Sequence, residues 1–171
     1  YKLVERYLPE EYQWIDITVP LDDVFAQYDG LQEIVVFASG DPLFFGFATT
    51  IQKRLPHAEI IIYPYFNSLQ ILAHRLVMPY HDMSIVSLTG RPWHEFDRVL
   101  IEGKAKIGVL TDRTHTPTAI AERMLEYGYD NYRMAVGELL GNTDERVRDM
   151  ALEEVRQTMF ESPNCLILRQ T

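Results

Sequence analysis

Residues 35–46, Val-Val-Phe-Ala-Ser-Gly-Asp-Pro-Leu-Phe-Phe-Gly, constrain the fold of this chain more than any other stretch. An apolar run rich in β-branched residues has the pattern of a buried parallel strand, and it stops abruptly at Ser39-Gly40-Asp41-Pro42. Apolar residues then resume at helical spacing through Leu43, Phe44, Phe45, Phe47, Ala48 and Ile51. The pattern predicts a strand, a tight turn and a helix, the place where open α/β sheets put their ligands. Gly40 lets the backbone turn sharply or approach a ligand, and Pro42 has the fixed φ of a first helical residue. Asp41 can cap that helix or hold a ligand's polar groups. An ordinary βα turn carries the same signature. The stretch is not a G-x-G-x-x-G fingerprint, and it has no P-loop lysine.

The alternation of strand and helix patterns continues along the chain. Strands are expected over residues 34–38, 58–63, 83–88, 105–110, 132–136, 147–150 and 164–168. Helices are expected over 21–28, 43–55, from Asn67 or Ser68 to about 77, over 93–101, from Thr116-Pro117 to 127, and over 152–159. Residues 1–20 show no clean period. This order predicts an α/β fold with a mostly parallel sheet, without internal repeats or low-complexity segments. A length of 171 residues suits one domain, or two small ones sharing a core, and a hydrophobic content of 47% is ample for burial.

No stretch approaches a membrane span, and no charged region followed by an apolar segment marks a secretory signal. The single cysteine, Cys165, has no internal disulfide partner and reads as a small core hydrophobe in the last strand. These features fit a reducing, cytoplasmic setting. The net charge of −9 argues against non-specific nucleic-acid binding, but allows a polyanionic small substrate if a few basic residues gather at one site.

Four predicted strand ends carry small or polar residues: Ser39-Gly40-Asp41, Ser87 with Thr89-Gly90, Thr111-Asp112 and Gly137-Glu138. The helix start at Asn67-Ser68 is a fifth. Such ends converge at one edge of an α/β sheet, where a ligand is gripped mainly by backbone groups. Taken singly, each is turn chemistry; their recurrence after nearly every strand points to a site. His57, His74, His81, His94 and His115 never fall at metal-ligand spacing and read as surface or turn residues. No nucleophile elbow is present, and Cys165 lacks an activating context, so covalent catalysis has no candidate. Asp144 and Glu145 read as solvated turn residues. Arg91 and Arg113 directly follow the third and fourth strand ends, suited either to solubility or to an anionic ligand.

The segment from Ala38 to Gly46, Asn67-Ser68-Leu69-Gln70 with Ala73, Arg75 and Leu76, and Ser87-Leu88-Thr89-Gly90-Arg91 carry a family resemblance. So do Leu110-Thr111-Asp112, Glu138-Leu139-Leu140-Gly141 and Thr143-Asp144-Glu145-Arg146. On these motifs the chain resembles the tetrapyrrole methyltransferases, which use S-adenosylmethionine. The match runs from about residue 30 to the end. Gly-Asp-Pro is common to the wider family. Ser-Leu-x-Gly-Arg and Leu-Gly-x-x-Asp-Glu-Arg narrow it to the branch that methylates C5 of a precorrin or cobalt-precorrin ring in cobalamin biosynthesis.

The resemblance implies a tetrapyrrole methylase fold of two α/β domains with parallel or mixed sheets, divided as residues 1–80 and 81–171. It also implies a homodimer, with the methyl donor folded into the cleft between domains. By analogy Gly40, Asp41 and Phe44 line the donor site on one side, Ser68 and Leu69 approach from the helix start, Leu110 and Thr111 from one strand end, and Glu138 and Leu139 from another. The anionic macrocycle would lie over the open part of the cleft, where Arg91 and Arg113 could meet its carboxylates. Asp112 and Glu138 are candidates, by position alone, for the base that removes a ring proton; no metal is expected. The family opens with a first strand and a Gly-x-Gly-Pro-Gly loop, and Tyr1 corresponds to a point past that loop. Related proteins often carry a further C15-methylating and decarboxylating domain, whose chemistry is not expected of this chain. The alternatives are a methyltransferase of the same family with another acceptor, such as a different ring position or the diphthamide precursor, and a non-catalytic assembly module. A nucleotide-binding domain lacks a phosphate loop.

Overall fold

Residues beyond 83 build the sheet. In the computed structural model, which describes residues 4–171, β1 (Ser84–Ser87), β2 (Lys106–Leu110), β3 (Tyr132–Glu138), β4 (Arg146–Ala151) and β5 (Asn164–Gln170) form one sheet in the order β1-β2-β5-β3-β4. Tyr1, the point placed past the family's glycine-rich loop, lies outside the described residues. β1 and β2 are parallel, whereas β2–β5, β5–β3 and β3–β4 are antiparallel. The expectation of a mostly parallel sheet is therefore corrected to a mixed one. The connection over residues 139–145 is far shorter than the dozen or so residues a parallel crossover needs, so β4 returns beside β3 as a hairpin.

Strand alternation sorts the core into two layers. Leu166 and Leu168 of β5 face a cluster formed with α4 (His94–Ile101), α5 (Pro117–Glu126) and α6 (Leu152–Arg156), through Phe96, Val99, Ile120, Met124 and Val155. Cys165 and Ile167 face the other way, onto Leu69, Leu72 and Ala73 of α3 (Ser68–Arg75). Each fully buried Leu or Ile contributes about 1.5–3 kcal/mol, so both layers are well anchored. The capping signals hold. The Asn67 side chain accepts from Gln70 N at 2.9 Å while Gln70 Oε1 accepts from Asn67 N at 2.9 Å, and Thr116 Oγ1 accepts from Ala119 N at 3.1 Å. α1 (Leu21–Tyr28) and α2 (Ala48–Arg54) close a third, small cluster around Val24 and Phe25.

Three expectations differ from the structure. Residues 34–38 and 58–63 are extended but join no ladder, and Val35 and Ile61 are 72% and 71% exposed rather than buried. Neither segment finds a strand to pair with among the described residues, and an apolar run becomes a buried strand only when one is supplied. The helix expected from residue 43 begins at Ala48, because Phe45 takes a left-handed φ of 52° and no α-helix continues through such a residue. α6 stops at Arg156 rather than running to residue 159: the Thr158 hydroxyl donates to the Glu154 carbonyl at 2.7 Å, taking an acceptor the helix would use. Among the described residues, no helix is long and apolar enough to cross a membrane.

Candidate functional site

One row of residues crosses the sheet near its edge: Ser87, Leu110, Cys165, Gly137 and Val147, each in register with the next. Two glycines keep the α3 face of these strands flat. A Cβ at Gly108 would lie 2.8 Å from Met83 Sδ and 2.9 Å from Leu69 Cδ1, and one at Gly137 would lie 2.8 Å from Leu140 Cδ1. The start of α3 can therefore sit directly on the strand ends, with Leu69 packed in one cluster with Cys165. Burial pushes the Cys165 thiol up to about 12, outweighing the opposing influence of the Ser68 side chain, so it is a protonated wall and not a nucleophile.

The turn after residue 38 closes over the same spot. Gly40 has φ 70°, and its missing Cβ would stand 3.5 Å from the Phe66 carbonyl oxygen and 3.7 Å from Asn67 Cα. Asp41 Oδ1 accepts from Leu43 N at 2.9 Å, and the Pro42 carbonyl accepts from Ala48 N at 3.2 Å. A side chain at Gly46 would collide with that Pro42 carbonyl, which is why glycine stands there. So folded, the turn directs Phe44 inward against the cluster of Leu69, Leu72 and Cys165, joined by Leu110 and Leu140. Leu139, at the end of β3, takes φ 50°, an uncommon conformation for a bulky residue and a mark of functional sites. Its N–H donates to the Pro163 carbonyl at 3.0 Å.

Gly40, Asp41, Phe44, Ser68, Leu69 and Leu110 thus gather on the α3 face of one sheet edge, with Leu139 at its rim. The amides of Ser68 and Leu69, in the first helical turn, have no intrahelical acceptor and no other partner among the described residues. Thr111 and Glu138 sit one residue further along their strands, and alternation turns their side chains to the opposite face. The Thr111 hydroxyl lies 2.6 Å from the Asn164 carbonyl and 2.7 Å from Asn164 Oδ1.

Both candidate bases are committed elsewhere. Glu138 is 1% exposed; Arg148 donates to both its oxygens at 2.9 and 2.8 Å, and Glu161 N donates to Oε1 at 2.8 Å. Asp112 Oδ2 accepts from Gly90 N at 2.9 Å, and Oδ1 accepts from Thr114 N at 2.8 Å and His115 N at 2.6 Å. Burial works against the charge of Asp112, but these backbone donors and the His115 ring override it and hold the carboxyl well below the usual carboxylate range. Asp112 therefore ties the turn at residues 89–90 to that at 111–115.

Two further readings are refined. His115 is a turn residue, as one of the two readings has it, but a buried one, with its ring 4.6 Å from that of Trp93 and Nδ1 3.0 Å from Asp112. Glu145 is not solvated: it pairs with Arg75 and accepts from Gly141 N at 2.7 Å, pinning the β3–β4 turn to α3, whereas Asp144 is exposed. The two candidate cations part company. Arg91 lies over the Phe45 ring, 5.2 Å from its centroid, on an open groove of about 550 Å³ beside Phe44 and Lys53. Arg113 is exposed and does not line it. Sequence reasoning missed Asn164 and Arg148. Arg148 was accessible in principle, since a hairpin of β3 with β4 brings a cation to the Glu138 end of the sheet; nothing in the sequence marks Asn164.

The sequence model of the Tetrapyrrole (Corrin/Porphyrin) Methylases matches residues 8–156. A precorrin-6Y C(5,15)-methyltransferase [decarboxylating] of Sinorhizobium sp is 37% identical over 114 residues, covering 67% of this chain but only 27% of that protein. A cobalt-precorrin-7 C(5)-methyltransferase of Salmonella typhimurium is 29% identical over 140 residues, covering 82% of this chain and 67% of that protein. Among solved structures, a uroporphyrin-III C-methyl transferase from Thermus thermophilus complexed with S-adenyl homocysteine has the same fold, with a TM-score of 0.63 and 21% identity over 86% of this chain and 68% of that one. The chain belongs to the tetrapyrrole (corrin/porphyrin) methylases.

Proposed function

We propose that this chain transfers a methyl group from S-adenosylmethionine to C5 of a precorrin macrocycle in cobalamin biosynthesis. The observation that carries the reading is the family match over residues 8–156, refined by two relatives whose names specify C(5,15) and C(5). The S-adenosyl homocysteine of the Thermus neighbour supports the donor. The donor lies in a cleft between residues 1–80 and 81–171, lined by Gly40, Asp41, Phe44, Ser68, Leu69, Leu110, Thr111, Glu138 and Leu139. The protein works in the cytoplasm as a homodimer, alongside a C15-methylating and decarboxylating domain.

The residues present fit such a ligand. Phe44, Leu69 and Leu110 give apolar walls, the unpartnered amides of Ser68 and Leu69 give donors for polar groups, and the left-handed Gly40 leaves room for close approach. When bound, S-adenosylmethionine supplies a methyl group on a positively charged sulfur, which a ring carbon takes without a nucleophile from the protein. The work of the chain is positioning, which can remove roughly 7–11 kcal/mol of barrier. Thr111 and Glu138 act through the backbone at their strand ends, since Asn164 and Arg148 hold their side chains. With the carboxylates of Glu138 and Asp112 committed, neither is the ring-proton base.

Calorimetric titration with S-adenosylhomocysteine tests the reading on wild type and Gly40→Val. A β-branched residue at φ 70° costs roughly 1–2 kcal/mol in backbone strain, which the turn relieves by shifting at the donor site, and its side chain fills the open space beside Phe66. The expected result is binding by wild type and a loss of at least about fivefold in the variant, by the usual conversion of free energy to affinity. Equal affinity in the two would refute the placement of the donor, and a panel of precorrin acceptors decides the ring position.

A further inference from the structure

The groove beside Phe44 stands out in a chain of net charge −9 because it carries two cations, Lys53 and Arg91, and no acidic side chain. Neither cation has an ion pair or a side-chain hydrogen bond among the described residues; the guanidinium of Arg91 lies only against the ring of Phe45. Other basic side chains of the chain, including Arg75, Arg98, Arg123 and Arg148, are held by carboxylates. Phe45 itself is held out at φ 52°, 46% exposed and edge-on to Phe44 with centroids 5.1 Å apart. Keeping a bulky aromatic residue in the left-handed region costs folding free energy, and the tight turn from Asp41 to Ala48 imposes it. Thr49 and Gln52 complete the wall with uncharged polar groups.

We propose that this groove receives a carboxylate-bearing arm of the macrocycle, with Arg91 and Lys53 meeting the carboxylate and Phe45 offering its ring to the flat conjugated system. The proposal rests on the methyltransferase reading above. An exposed ring face accepts a planar partner by offset stacking, and a guanidinium matches a carboxylate with two parallel donors. Phe44 links the two halves of the site: it packs against the Leu69–Cys165 cluster and also walls the groove, so a macrocycle anchored by Arg91 would be positioned against the donor residues.

The probe is uroporphyrin, a flat octacarboxylate, titrated by fluorescence into wild type, Arg91→Glu, Lys53→Glu and Phe45→Gly, with Arg156→Glu on α6 as a charge-matched control. Glycine accepts φ 52°, so Phe45→Gly removes the platform while leaving the turn able to fold. Each of the three groove variants is expected to bind about tenfold more weakly, and the control to match wild type. No binding by wild type, or equal weakening by the control, would overturn the proposal. A parallel titration with S-adenosylhomocysteine separates the two readings. Donor binding with unaltered porphyrin affinity in the groove variants would leave the methyltransferase and remove the groove. Charge-dependent porphyrin binding without donor binding would do the reverse.

Discussion

Replacing Glu138 by Gln separates a structural carboxylate from a catalytic one. Its side chain is 2% exposed and receives three donors, two from Arg148 and one from Glu161 N. Gln keeps the shape but turns one acceptor into an NH₂ group, which must face another donor, and it leaves Arg148 without its counter-charge. Breaking a fully buried ion pair by removing one partner costs about 3–5 kcal/mol. The Arg148 side chain is 25% exposed, lies 4.3 Å from the Phe160 centroid and also donates to the Met159 carbonyl at 3.0 Å. It can therefore rehydrate in part, which lowers the expected loss to about 2–4 kcal/mol. With a urea m-value of about 2 kcal/mol/M, the midpoint should fall by roughly 1–2 M, followed by circular dichroism. Arg148→Met in the Glu138→Gln background should cost about 1–3 kcal/mol less than the sum of the single changes, because the stranded charge is gone. The reasoning fails if Glu138→Gln unfolds within about 0.5 kcal/mol of wild type, inside the range of an ordinary surface change, yet loses methyl transfer. That result would return Glu138 to the chemistry.

Two other consequences are open to measurement. The depressed titration of Asp112 means that its contribution to stability is complete above the ordinary carboxylate value near 4 and is lost as pH falls from there toward its lower folded value. The gap in melting temperature between wild type and Asp112→Asn should therefore narrow below about pH 4, and a gap constant with pH would refute this. Cys165, 1% exposed with its thiol pushed up to about 12, should resist a thiol reagent at pH 8 in the native protein and react at once in urea; rapid labelling of the folded chain would contradict its burial.

The sequence announced those elements whose signals are local. Asn67 or Ser68 and Thr116-Pro117 mark helix starts, and the structure begins α3 at Ser68 and α5 at Pro117. The convergence of residues 40, 68 and 110 was implied by the family resemblance, although of the three only Leu110 ends a strand of the sheet. What depended on pairing was not legible. Strand polarity is set by connection length and by where β5 inserts, and the alternation of strand and helix patterns alone made the sheet look mostly parallel. The side chains of Glu138 and Asp112 looked available because their partners, Arg148 and the amide of Gly90, stand 10 and 22 residues away in sequence. The left-handed turn at Phe45 left no trace except its neighbour Gly46.

The insertion of β5 between β2 and β3 also constrains when the sheet can close during synthesis. On the ribosome, β1 with β2 and the β3–β4 hairpin emerge as two separate half-sheets, each with a bare edge. No strand pairing joins them until residues 164–170 follow. The strand that welds them also brings Cys165 under Ser68 and Asn164 against Thr111, so a nascent chain arrested before it has neither a continuous sheet nor a binding edge. Closure of the sheet and completion of the candidate site thus depend on the same strand, through contacts as distant in sequence as the 53 residues from Thr111 to Asn164.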